Sequence, residues 1–215
     1  MTIAIIDYGS GNLRSAEKAV ERALSERGSS REIMVTSSPD QVRKADHIIL
    51  PGVGAFGDCI KGLRDLPDMV DCLEERVIND GQPLLGICIG MQLLARSGHE
   101  HGIHQGLDWI GGEVRPLEPV GNLKIPHMGW NEIGINDPFR PHPLLEGIND
   151  GEHMYFVHSY HFDVDDPGHV MAGTDYGGSI AAMVLRDNIV GCQFHPEKSQ
   201  QSGVRLMGNF LNWTP

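Results

Sequence analysis

The sequence is short of positive charge. Seventeen Lys and Arg stand against 29 Asp and Glu, a formal net charge of -12, and no basic block interrupts the deficit. Nucleic acids and anionic membranes are held by clustered cations, so neither is expected as the main partner. Cysteine is scarce as well. Cys59, Cys72, Cys88 and Cys192 lie far apart with no Cys-x-x-Cys pair, which indicates neither a zinc cage nor a disulfide framework. No apolar run approaches a membrane span, and the opening Met-Thr-Ile-Ala-Ile-Ile-Asp7 has no basic stretch ahead of its apolar residues, so a cytoplasmic protein is expected. At 215 residues, 40% of them hydrophobic, the chain is read as one domain over residues 1–215 with a core of its own.

What is present is an alternation of apolar runs and helical repeats. Ile3 to Asp7 reads as a buried strand, and Tyr8-Gly9-Ser10-Gly11-Asn12 turns it into a helix to about Arg27, with Leu13, Ala16, Val20 and Leu24 at helical spacing. Strands follow at 33–36 and 47–50, the second stopped by Pro51, then helical segments at 60–63 and 69–78, then the apolar run into Cys88. Strands alternating with helices predict an α/β fold with a mostly parallel sheet, function gathering at the strands' carboxyl ends. Residues 98–150 are rich in Gly, Pro, His and Asn and predict short strands and long loops over the sheet edge. Strand character returns at 154–162 and in a hairpin, 181–185 and 189–194, that turns at Arg186-Asp187-Asn188; a last helix is expected over about 203–213.

Two stretches carry chemistry. In Gly86-Ile-Cys88-Ile-Gly90-Met-Gln92 a strand passes at once into a helix start, with glycines two residues either side of Cys88. That is the pattern of a nucleophile elbow, in which a helix N-terminus favours thiolate over thiol. By itself the segment fits a small buried hydrophobe at a strand end equally well. The second stretch is Gln193-Phe-His195-Pro-Glu197. In an extended segment alternate side chains share a face, so a carboxylate can orient an imidazole, and an imidazole beside a thiol completes a Cys-His-Glu relay. A solvated His and Glu at a strand end is the plainer alternative; the joint occurrence of both stretches favours chemistry.

Together these two motifs resemble the class I, triad-type glutamine amidotransferases over essentially the whole chain. Within that class, Asp7-Tyr-Gly-Ser-Gly-Asn12, Pro51-Gly-Val-Gly54, Pro126-His-Met-Gly-Trp130-Asn131, His158-Ser-Tyr160 and His195-Pro-Glu-Lys198-Ser199 resemble the glutaminase subunits of imidazole glycerol phosphate synthase. The resemblance implies a flavodoxin-like α/β fold with helices on both faces and an antiparallel C-terminal addition. It implies Cys88 as nucleophile, His195 as acid and base, and Glu197 as its orienter. The oxyanion hole would come from backbone amides near Gly52 and Val53 together with that of Ile89, the first pair able to reorient between glycines. Gln92, Glu100, His158, Ser159 and Tyr160 would hold L-glutamine. Asn12, Trp130, Tyr155 and Lys198 would face a (β/α)8-barrel cyclase subunit in a heterodimer, to which ammonia passes in histidine biosynthesis. No metal or organic cofactor is implied.

Two tempting readings, a dinucleotide site and a metal site, are set aside. Gly52-Val-Gly54-Ala-Phe-Gly57 matches the dinucleotide pattern, but Pro51 before it and Asp58 at the helix start suit a phosphate poorly, and the first strand-helix turn lacks the third glycine. His99, His101 and His104 sit in a glycine-flanked polar loop and are read as solvated rather than as metal ligands.

Overall fold

In the computed structural model, which describes residues 1–118 and 121–215, Thr2–Ile6 forms β1, with Ile3 to Ile6 fully buried. A strand apolar on both faces must be covered on both, which is the situation of a parallel sheet between helices. The helix α1 (Leu13–Glu26) buries Ala16, Ala19, Val20, Ala23 and Leu24, one stripe at the 3.6-residue repeat. Next come β2 (Glu32–Thr36), the single turn α2 (Pro39–Val42) with proline opening it, and β3 (His47–Gly52). Helices α3 (Phe56–Asp65) and α4 (Met69–Leu73) follow, α4 running on into a wider π-helical turn over Glu74–Asn79. Strand β4 (Leu84–Cys88), buried throughout, delivers Cys88 into α5 (Ile89–Gln92).

The middle of the chain holds more strand than its composition suggested. Ser97–Gly98 (β5), His104–Gln105 (β6) and Gly112–Pro116 (β7) join a small sheet, and β8 (His127–Ile135) is nine residues long. The expected strand over 154–162 is two strands, β9 (Glu152–His158) and β10 (Tyr160–Val164), divided at Ser159. The division has a topological reason, since β9 pairs with β8 in the large sheet whereas β10 pairs with β7 in the small one. The last strands are β11 (Val170–Asp175), β12 (Ser179–Arg186) and β13 (Ile189–Cys192), and α6 (Gln200–Asn212) closes the fold. The β12–β13 hairpin turns where it was expected, with Asp187 at φ 52°.

The large sheet has the order β2-β1-β3-β4-β13-β12-β11-β8-β9, and the small one β10-β7-β5-β6. From β2 to β13 neighbours are parallel, and from β13 onward antiparallel. This is the flavodoxin-like doubly wound order with an antiparallel extension, as the sequence predicted. One continuous apolar cluster reaches from Ile3 to Trp213. Among the described residues no helix is long and apolar enough to cross a membrane.

Candidate active site

The register of the sheet assembles the site. Cys192 on β13 lies beside Ile87 on β4, so the residues that follow the two strands, Gln193 to His195 and Cys88, leave the sheet side by side at its carboxyl edge. Cys88 has φ 55° and ψ -110°, a conformation that L-residues hold at a cost of about 1–3 kcal/mol and only when their surroundings impose it. The surroundings are glycines. A Cβ on Gly90 would stand 1.8 Å from the Leu50 carbonyl oxygen, and one on Gly86 would stand 2.6 Å from the Gly90 oxygen, so the strand can turn this sharply only without those side chains. The helix beyond the elbow is a single turn and brings little macrodipole to the thiol. Neighbouring side chains must therefore do most of the thiolate stabilisation that the sequence pattern assigned to that helix.

His195 is the first of them. It is 2% exposed, its Nδ1 lies 2.8 Å from Glu197 Oε1, and its other nitrogen is left for the Cys88 sulfur in the same cavity. Burial works against the imidazolium, but the hydrogen bonds and charges of Cys88 and Glu197 outweigh it and raise its pKa to about 9. An imidazolium beside a sulfur is the resting form of an ion-paired nucleophile. Backbone bonds fix the ring's position. The His195 amide donates to the Tyr155 carbonyl at 2.9 Å, and the Ser199 hydroxyl donates to the His195 carbonyl at 2.7 Å.

A cavity of about 410 Å³ opens over Cys88 and His195. Gln92, Glu100, His158, Ser159 and Tyr160 line it, as do Val53, Ile89 and Lys198. Gln92 is 1% exposed, and its amide nitrogen donates both hydrogens, to the Tyr160 carbonyl at 3.0 Å and to Gln193 Oε1 at 2.9 Å. Its Oε1 is buried and unpartnered. A buried carbonyl oxygen without a donor costs free energy unless an incoming group supplies one, so this atom is suited to a ligand N–H. Glu100 is placed at the cavity but is committed on one oxygen, which accepts from the Phe56 amide at 2.7 Å at the head of α3.

The loop after β3 is held from outside the cavity. The Val53 amide donates to Ser10 Oγ at 3.4 Å, the Ser10 hydroxyl donates back to the Val53 carbonyl, and Cys59 Sγ lies 3.1 Å from Ser10 Oγ. In this arrangement the Val53 N–H is taken. Gly52 lies beneath the elbow, where a Cβ would stand 2.8 Å from both the Gly90 nitrogen and Ile89 Cβ, and Gly54 has φ +104°. Nothing in the local sequence around Ser10 points to this contact; its setting is an ordinary turn, and its bond to Val53 spans 43 residues.

A second contact that the sequence did not indicate joins His158 to a buried partner, His127. His158 Nδ1 lies 2.8 Å from the Tyr160 carbonyl, which can only accept, so that nitrogen carries the proton. Its Nε2 then accepts from His127 Nδ1 at 3.0 Å, and His127 Nε2 accepts from Asn131 Nδ2 at 3.3 Å. All bonds of this relay are satisfied with both rings neutral. Burial pushes the pKa of each down to about 4. The relay ends on the same Tyr160 carbonyl that anchors Gln92.

Of the residues expected to face a partner, Lys198 lines the cavity, and Tyr155 and Trp130 follow it in turn. Trp130 is 46% exposed and pairs in register with Tyr155, their rings 5.9 Å apart edge to face, and Lys198 Nζ lies 5.7 Å from the Tyr155 ring centroid. Met128, Leu123 and Ile125 add exposed apolar surface, and exposed Asn12 precedes α1, which packs against the turn bearing Lys198. The loop histidines part ways. His99 Nε2 lies 3.4 Å from Glu113 Oε2, whereas the His104 ring covers Gly57.

A family model described as glutamine amidotransferase class-I matches residues 4–212. The imidazole glycerol phosphate synthase subunit HisH of Rhodospirillum rubrum is 53% identical over 216 residues, and that of Brucella suis biovar 1 is 52% identical over 219, each comparison covering 100% of both chains. The chain belongs to the HisH family of class-I glutamine amidotransferases. Solved structures repeat this chain's fold at much lower identity. A crystal structure of a glutamine amidotransferase superposes with TM-score 0.70 at 18% identity, covering 97% of this chain and 96% of that one. A glutamine amidotransferase from Thermotoga maritima gives 0.60 at 17%, covering 92% and 76%.

Proposed function

We propose that the chain hydrolyses L-glutamine to L-glutamate and ammonia, and that the ammonia passes to a (β/α)8-barrel cyclase subunit. There it serves the conversion of PRFAR to imidazole glycerol phosphate and AICAR. The observation that carries this reading is the buried series Cys88, His195 and Glu197 at the floor of a cavity that Gln92, with its unpartnered oxygen, also lines.

The steps follow from that geometry. His195 takes the Cys88 proton, and the thiolate attacks the glutamine side-chain carbonyl carbon. The resulting oxyanion takes the Ile89 amide, and a second donor once the Val53 peptide has turned away from Ser10. His195 gives its proton to the departing nitrogen, which leaves as ammonia from a γ-glutamyl thioester. Water then attacks the thioester, its proton passing to His195, and the thiol is restored. Glu197 keeps Nδ1 protonated throughout, so that the other nitrogen does the exchanging.

Because the Val53 N–H is occupied, hydrolysis by the isolated chain is slow and rises when a loaded cyclase turns the loop. The test is glutamate release by this chain mixed with a histidine-pathway cyclase and PRFAR, for wild type and Cys88→Ala. Release that needs partner and ligand and disappears in the variant supports the reading. Release by Cys88→Ala at the wild-type rate overturns the mechanism, and wild-type release that ignores the cyclase overturns the partnership.

A further inference from the structure

Gln193 is fully buried, and no step above uses it. An amide in such a place must have its polar atoms met, since burying it unpaired costs about 1–3 kcal/mol, and this one is met at both ends. Its Oε1 accepts from Gln92 Nε2 at 2.9 Å, and its Nε2 donates to Cys88 Sγ at 3.7 Å. Which end faces the sulfur is not free to vary. Gln92 Nε2 also donates to the Tyr160 carbonyl, an atom that can only accept, so the nitrogen of Gln92 is fixed on that side and the atom of Gln193 opposite it must be oxygen. The N–H of Gln193 is thereby aimed at Sγ. Turning the amide over would set two nitrogens against each other and a carbonyl oxygen against the sulfur.

We propose that Gln193 is a further catalytic residue, a fixed N–H donor that stabilises the Cys88 thiolate together with His195. The inference rests on Cys88 being the nucleophile. Its position follows from the sheet, because Gln193 immediately follows β13, the parallel neighbour of β4, and so stands beside Cys88 as both chains leave the edge. A one-turn α5 leaves room for such a donor to matter. The proton leaving Cys88 still goes to His195; Gln193 keeps both its hydrogens and changes only how readily the sulfur holds negative charge. Gln92 makes the arrangement responsive. When a ligand N–H occupies its free Oε1, the Gln92 amide is polarised further, and a hydrogen-bonded chain passes that polarisation on to the Gln193 donor.

The experiment measures the pH midpoint for alkylation of Cys88 by iodoacetamide, followed on the Cys88 peptide by mass spectrometry, beside glutamate release with cyclase and PRFAR. Gln193→Leu and Gln193→Met remove the donor while keeping most of the volume, and Gln193→Glu replaces it with a negative charge. The midpoint should rise by roughly half to one pH unit in the Leu and Met variants, the size of a lost hydrogen bond to a charged group, and further in Glu. Turnover should fall about tenfold per pH unit of midpoint, with KM nearly unchanged. A residue that merely packs would alter the melting temperature and leave the midpoint alone. Folded variants with the wild-type midpoint overturn the assignment, and so does failure of all three to fold, which would make Gln193 structural. Cys88→Ala separates this outcome from the parent reading, since release persisting there sinks the nucleophile itself and not Gln193 alone.

Discussion

At the scale of single residues, the raised pKa of His195 sets a pH signature. The ring is ordinarily half protonated at 6.5 and here at about 9. Its contribution to stability is therefore complete below about pH 6.5 and is lost as pH rises through about 9. Proton donation to the leaving nitrogen ends over the same upper range, so kcat/KM should show an alkaline limb near pH 9. Glu197→Gln keeps the shape but removes a charge that holds the proton on His195; the limb should move about one pH unit toward acid and kcat should fall roughly 100-fold. A pH profile that keeps its limb in place contradicts the assigned role. Ser10→Ala removes the bond that occupies the Val53 amide, and hydrolysis in the absence of cyclase should increase; an unchanged basal rate would show that Ser10 does not restrain the loop. Gly90→Ala puts a methyl group against the Leu50 carbonyl and should cost about 3 kcal/mol in urea unfolding, as overpacked sites do.

At the scale of elements, the strand pair β8–β9 carries the histidine relay, with His127 opposite His158 in register. Both rings are neutral in the fold and ordinarily titrate near 6.5, so the stability they allow is present above that pH and is lost as pH falls toward about 4. Replacing His127 by Phe, which can stack between Phe156 and Tyr176, should reduce the acid-side slope of stability by about half, one titrating ring of two being gone. An unaltered slope would place the titration elsewhere. The same elements mark what sequence could reveal. Cys88 with its glycines and His195-Pro-Glu197 are legible because the turn and the alternation that make them work lie within a few residues. Gln193 against Cys88 spans 105 residues and His127 against His158 spans 31, and both depend on strand order that periodicity does not encode. The single strand expected over 154–162 divided for a related reason, since apolar alternation is the same whichever sheet a segment joins.

At the scale of the whole molecule, the surface bearing Trp130, Tyr155 and Lys198 is the one proposed for a second subunit, with aromatic area half exposed and a cation set over a ring. Trp130→Ala should weaken association with the cyclase about tenfold or more, the range for an aromatic anchor, while leaving Cys88 as reactive toward iodoacetamide as in wild type. Titration calorimetry of the two subunits checks the first expectation, and wild-type affinity in the variant would move the docking face elsewhere. Ser159 lies between these regions. Before it the chain belongs to the large sheet, after it to the small one, and the residues on either side wall the cavity. Ser159 thus joins the two sheets at the wall of the cavity. Strand β10 also packs against β12 of the large sheet, so the chamber's wall is clamped from both sides and keeps its width as long as both ladders hold.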